Sequence, residues 1–119
     1  MARQTEFTIA SFQKKIEEIY FEKDSRRGVP GTFLWFSEEI GELARCLNSG
    51  GAKSAAEEAE FADVLAWLCS LASLRGIDLE KAACEKYSSG CPRCQNVPCS
   101  CSHRNPEGGG DLVEPTAPA

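Results

Sequence analysis

The chain has 119 residues, with 18 Asp or Glu against 13 Lys or Arg, for a net charge of −5. At 42% hydrophobic and 26% charged residues it has the balance of a soluble globular domain, and its length leaves room for one modest core. A net acidic chain has no general attraction to phosphate backbones, which disfavours broad nucleic-acid binding. The opening residues Met1 to Phe7 lack a secretory apolar stretch, and the longest uncharged apolar run, Val64 to Leu74, falls short of the roughly 20 residues that span a bilayer. The expectation is a cytoplasmic protein with no membrane segment.

Four helical segments follow in chain order. The first runs from about Ile9 to Lys23, with Ile9, Phe12, Ile16, Ile19 and Tyr20 on one stripe and Thr8 as candidate N-cap. Arg26-Arg27-Gly28-Val29-Pro30-Gly31 disfavours continued helix, so a break is expected there. Thr32 then begins a second helix to about Asn48, its stripe formed by Phe33, Phe36, Ile40, Leu43, Ala44 and Leu47, and Asn48-Ser49-Gly50-Gly51 stops it.

Ser54 with Glu57 fits a capping box for a third helix to about Arg75, with Phe61, Val64, Leu65, Leu68, Leu71 and Ala72 as its apolar stripe. Gly76 ends it, Asp78 caps the fourth, and that helix runs from Leu79 to about Tyr87. No strand-like alternation of any length appears, so the expected class is all-α. The long third helix, apolar on two sides, predicts a homo-oligomer, a dimer or tetramer, because one chain would not cover it. Three regions are expected: 1–87 helical, 88–103 rich in cysteine, and 104–119 a Pro- and Gly-rich disordered tail.

The second and third expected helices carry the chemistry. Glu39 and Glu42 are three residues apart, as are Glu60 and Asp63, so each pair projects from one helical face. Core-type residues flank both pairs: Ile40 and Leu43 beside the first, Phe61 and Val64 beside the second. If the two helices form an antiparallel hairpin through the Gly-Gly loop, four carboxylates converge and repel. Hard cations such as Mg²⁺ or Mn²⁺ neutralise such a cluster, and Mg²⁺ commonly also binds substrate phosphates. Solvated acidic helix faces are the alternative. Helix-start electrostatics accounts for Glu57 and Glu58 but not for Glu60 and Asp63, about two turns in. A di-iron bundle would need Glu-x-x-His motifs, and the sole histidine, His103, falls in the sequence after the helical segments, toward the tail.

Phe33-Leu-Trp-Phe-Ser-Glu-Glu-Ile-Gly-Glu-Leu-Ala44 and Glu60-Phe-Ala-Asp-Val-Leu-Ala-Trp-Leu68 resemble the MazG-like nucleoside triphosphate pyrophosphohydrolases. That family's mark is EExxE, a spacer and ExxD, and here 17 residues separate Glu42 from Glu60. The resemblance covers roughly Phe12 to Tyr87 and implies a four-helix bundle. It also implies Mg²⁺ bound by Glu39, Glu42, Glu60 and Asp63, with Glu38 an auxiliary carboxylate. The implied reaction is NTP + H₂O → NMP + pyrophosphate by attack of water on the α-phosphorus. All-α dUTP and dCTP hydrolases and phosphoribosyl-ATP pyrophosphohydrolases share the pattern, so base and sugar stay open. The resemblance also makes Lys86 the first candidate cation for the phosphates, ahead of Lys53, Lys81 and Arg93. Trp35, Phe36 and Trp67 are either core or the stacking wall of a base pocket. Gly41, costly in mid-helix, is expected to let a neighbouring helix come close.

Seven cysteines are many for this length, and Cys91, Cys94, Cys99 and Cys101 fall within 11 residues. Cys91-x-x-Cys94 is half of a zinc site and Cys99-x-Cys101 completes a Cys₄ set, with His103 a possible substitute. The expected occupant is a structural zinc; free or redox-active thiols and disulfides are the alternatives. Cys46, Cys69 and Cys84 sit singly in helical segments, where small buried apolar roles are expected. Against the hydrolase stands a second reading of another class, a non-catalytic helical interaction module with a zinc-binding C-terminal segment.

Overall fold

Thr8 is extended (φ −118°) and caps the first helix: its Oγ1 accepts from the Ser11 amide at 3.0 Å while its own amide donates to Ser11 Oγ at 2.8 Å. A computed structural model describes residues 6–102. Among these residues there are three helices and no strand: α1 (Ile9–Asn48), α2 (Ala55–Leu74) and α3 (Leu79–Tyr87). The chain is all-α. His103 and the expected disordered tail lie outside the described residues. Among those described, no helix is long and apolar enough to cross a membrane.

The count of helices departs from the four expected. The first two are arms of one element, α1, bent at Gly28 (φ 84°, ψ 171°). Only that residue leaves helical geometry, so the expected break through Gly31 shrinks to a kink. Pro30 lies in the first turn of the resuming arm, where a missing N–H forfeits no intrahelical bond. The other signals act as expected: Ser54 Oγ accepts from the Glu57 amide at 3.1 Å at the start of α2, and Asp78 Oδ1 accepts from the Lys81 amide at 3.0 Å at the start of α3.

By contacts the described chain forms two compact units, one through Ala82 and one from Ala83. In the first, α2 runs antiparallel along α1. Gln13 and Glu17 meet Ser73, Asp24 meets Ser70, and Trp35 meets Trp67. Gln13 is a buried hub whose Nε2 donates to Ser73 Oγ (3.0 Å) and Ile77 O (2.9 Å). Its Oε1 accepts from the Leu79 amide (2.9 Å), which fixes the turn between α2 and α3.

The core is thin. Ile16, Cys69 and Ala72 are its buried apolar residues, alongside buried Gln13, Asp24, Thr32 and Ser70. Several residues expected inside are exposed instead: Ile9, Ile19, Tyr20, Phe33, Ile40, Leu47, Phe61, Leu65 and Leu68. A 3.6-residue apolar stripe marks a face that prefers burial, but among the described residues α2 packs mainly along α1. Gly41 likewise has nothing within 4 Å of where a Cβ would stand, so among the described residues no helix approaches it closely. Cys69 is buried as expected, Cys46 is half-buried and Cys84 exposed.

Candidate active site

Glu39 lies on the second arm of α1, and Glu60 and Asp63 on successive turns of α2. Antiparallel packing brings one carboxylate oxygen of each within 4.8 Å of the others. Burial, then hydrogen bonding to Glu60 and the charges of Asp63, Glu60 and Glu42, raise the Glu39 pKa from its ordinary 4.5. Glu60 Oε1 is buried and has no hydrogen-bond partner among the described residues. No cation pairs with Glu39, Glu60 or Asp63 among those residues. Oxygen donors at this spacing, one of them orphaned, suit a hard divalent ion.

The other expected acids stand further out. Glu42 is exposed and pairs with Arg45 at 3.3 Å, so it is outside the convergent trio although Glu39 feels its charge. Glu38 is exposed and also outside the trio.

A cavity of about 190 Å³ adjoins the trio at Asp63, lined among others by Lys23, Asp24, Arg27, Trp67 and Ser70. Trp67 thus faces the candidate site. Trp35 backs it, stacked at 6.2 Å between ring centroids and 14° between planes. Part of the cavity wall is a polar clamp. Asp24, 3% exposed, accepts from Ser70 Oγ at 2.5 Å and from Arg27 Nη1 at 2.8 Å. Arg27 also reaches Thr32 Oγ1 at 3.3 Å and places its guanidinium 5.0 Å from the Trp67 ring centroid, a cation–π contact. A Cβ at Gly31 would stand 2.7 Å from Arg27 Cγ, so glycine there makes room for the side chain to cross the kink.

Sequence reasoning missed Asp24, Arg27, Thr32 and Ser70. Asp24 and Arg27 fall in and beside the expected break, and Ser70 is 46 residues from its partner. The available signal was the i, i+3 spacing of Asp24 and Arg27, which only a continuing helix makes a pair.

The family model of the MazG nucleotide pyrophosphohydrolase domain matches residues 30–95, more than half of the chain. The chain belongs to the MazG family. No curated protein matches it. The MazG match includes Glu38, Glu39, Glu42, Glu60 and Asp63, begins after Asp24 and Arg27, and ends between Cys94 and Cys99.

Lys86, also inside the MazG match, is exposed on the last turn of α3 and belongs to the second unit. That unit carries the cysteine cluster. The Sγ atoms of Cys91, Cys94, Cys99 and Cys101 all lie within 4.8 Å of one another. Backbone amides of Ser100 and Asn96 pull the Cys94 thiol down to about 5, and those of Cys94 and Arg93 lower Cys91. Cys101 is pushed up to about 12, first by its hydrogen bond with Cys99 and then by burial.

Proposed function

We propose that this MazG-family chain hydrolyses a nucleoside triphosphate, ribo- or deoxyribo-, to the monophosphate and pyrophosphate in the presence of Mg²⁺ or Mn²⁺. The observation that carries the reading is the convergence of Glu39, Glu60 and Asp63 around a buried carboxylate oxygen without a hydrogen-bond partner. These three residues would hold the ion, and Glu42 joins from one turn along α1 once its exposed side chain leaves Arg45. Glu38 is the auxiliary carboxylate. When bound, the divalent ion neutralises the triphosphate and acidifies water.

The remaining work falls to the chain itself. Water attacks the α-phosphorus, the bond to the bridging oxygen breaks, and pyrophosphate leaves. A carboxylate of the cluster takes the water's proton. The cavity beside Asp63 suits the rest of the nucleotide: Trp67 offers a ring for stacking, with Trp35 behind it, while Lys23 adds positive charge beside the Asp24–Arg27 pair. Lys86 is the phosphate contact suggested by family resemblance. The apolar side chains exposed on the second arm of α1 and on α2, Phe33, Leu34, Phe61 and Leu65 among them, favour a homo-oligomer in which a second copy covers them. A reducing cytoplasm suits a chain whose cysteines are all free.

The test is a panel of ribo- and deoxyribonucleoside triphosphates incubated with the full chain and Mg²⁺, with pyrophosphate and orthophosphate measured separately. At least one nucleotide should yield its monophosphate and pyrophosphate. Initial release of orthophosphate and a diphosphate would overturn attack at the α-phosphorus. No turnover across the panel, with no carboxylate-dependent Mg²⁺ or Mn²⁺ binding, would replace the hydrolase with the interaction module.

A further inference from the structure

Residues 83–102 have no apolar means of holding their shape. None of them is buried, so removal of apolar surface from water does not organise this segment. Yet its backbone is closely specified. Gly90 adopts φ 113°, and a Cβ there would meet Val97 Cγ2 at 2.8 Å and the Asn96 carbonyl oxygen at 2.9 Å. Gln95, with φ 63°, takes the left-handed conformation that ordinary residues avoid. The Cys91 amide donates to Asn96 O at 3.1 Å, and the Gln95 amide turns back to Cys91 O. These bonds wrap the chain around four sulfur atoms.

The spacing of those sulfurs is diagnostic. Cys91 and Cys101 Sγ are 3.8 Å apart, and Cys94 and Cys99 Sγ are 4.0 Å apart. A disulfide would bring a pair to about 2.05 Å. Four thiolates held tetrahedrally at a metal–sulfur distance of about 2.3 Å would have neighbouring sulfurs about 3.8 Å apart. The observed separations therefore match one ion at the centre of four ligands. Backbone amides are already turned to the sulfurs, from Ser100 to Cys94 at 3.4 Å and from Cys101 to Cys99 at 3.3 Å. Such donors hold thiolate charge and fix ligand orientation.

We infer that Cys91, Cys94, Cys99 and Cys101 form a closed tetrathiolate site for one zinc ion, and that this ion is what holds residues 88–102 in their fold. Soft thiolates select a soft or borderline cation over Mg²⁺, so this site and the carboxylate trio draw different metals. Four protein ligands fill the tetrahedral shell and leave no position for substrate, so the ion is structural. Cys46, Cys69 and Cys84 lie outside the cluster. The family match ends before Cys99, so the ligand set runs past the MazG domain, and the inference is independent of the hydrolase reading.

Elemental analysis of the full chain, purified under reducing conditions without chelator, tests it directly. About one zinc per chain is expected. Cys94→Ser and Cys101→Ser should each lower zinc content severalfold, whereas Cys46→Ser and Cys84→Ser should leave it unchanged. Cobalt exchanged into the site should show the intense visible absorption of a tetrahedral thiolate complex. A chelator should bring the four cluster thiols to the reactivity of Cys84 toward a thiol reagent. Zinc well below one equivalent, with the cluster thiols reacting as fast as Cys84 from the start, would overturn the proposal. So would iron in place of zinc, or a mass deficit showing disulfides. None of these readouts depends on nucleotide turnover, so failure here is distinct from failure of the hydrolase.

Discussion

Glu39→Gln sets the carboxylate trio against stability. At 4.8 Å and an effective dielectric of about 20, two unit charges repel by roughly 3 to 4 kcal/mol. Asp63 is exposed, and Glu39 meets the repulsion partly by holding its proton more tightly, so solvent-screened relief of about 1 to 2 kcal/mol is the reasonable expectation. For a chain this small that is a rise of roughly 5 to 15 °C in the metal-free melting temperature. The sign with pH follows from the raised Glu39 pKa. The folded state keeps a proton that the unfolded chain releases above the ordinary 4.5. This group's contribution is therefore fully present below 4.5 and is lost as pH rises through the raised value, leaving the metal-free protein weaker at neutral pH. The variant's melting temperature should vary less across that window, and the rise on adding Mg²⁺ or Mn²⁺ should shrink. The assay is thermal unfolding at one fixed protein concentration, with and without metal, from acid to neutral pH. A metal-free variant melting at or below wild type at neutral pH, or an undiminished metal response, would refute the reasoning.

Two further substitutions probe the scaffold. Gly28→Ala forces a side chain onto φ 84°, ψ 171°, a region nearly reserved for glycine, and should cost about 1 to 3 kcal/mol in urea denaturation. Asp24→Ala leaves Arg27 and Ser70 without their acceptor. Because Arg27 is itself a quarter exposed (26%), the loss should be about 2 to 3 kcal/mol, below that of a fully buried pair, and Asp24→Asn should cost less by keeping an acceptor for Ser70.

What could be read from the sequence was local. Thr8, Ser54 and Asp78 cap helices within a turn of themselves, and the ExxD spacing places Glu60 and Asp63 on one face wherever α2 goes. The cysteine cluster, too, closes within 11 residues. Continuity through Gly28 was not legible, because Pro and Gly near Arg27 argue for a break and only the register of Pro30 in the new first turn decides otherwise. Nor was the burial of Asp24, which depends on how α2 is rotated toward α1. The apolar stripes mark faces that prefer burial, yet many of their residues are exposed, and periodicity does not reveal what surface would cover them. Glu42 shows a further limit: helical spacing puts it beside Glu39, while a cation one turn on, Arg45, turns its side chain aside.

The clamp at the kink and the carboxylate trio are parts of one construction. Glu60, Asp63, Trp67 and Ser70 follow at intervals of three, four and three, so α2 presents them along a single stripe. Ser70, at one end of the stripe, binds Asp24 on the first arm of α1. Glu60 and Asp63, at the other end, meet Glu39 on the second arm. The direction of the second arm is set at Gly28, and Arg27 spans that point, bonded to Asp24 before it and Thr32 after it. Loosening Arg27 would let one arm turn against the other while α2 stayed anchored to the first, and Glu39 would leave the trio. The polar groups buried at Asp24, Thr32 and Ser70 therefore do what an apolar core of the same volume would not. They hold one bend angle through directional bonds, and that angle brings the three carboxylates together.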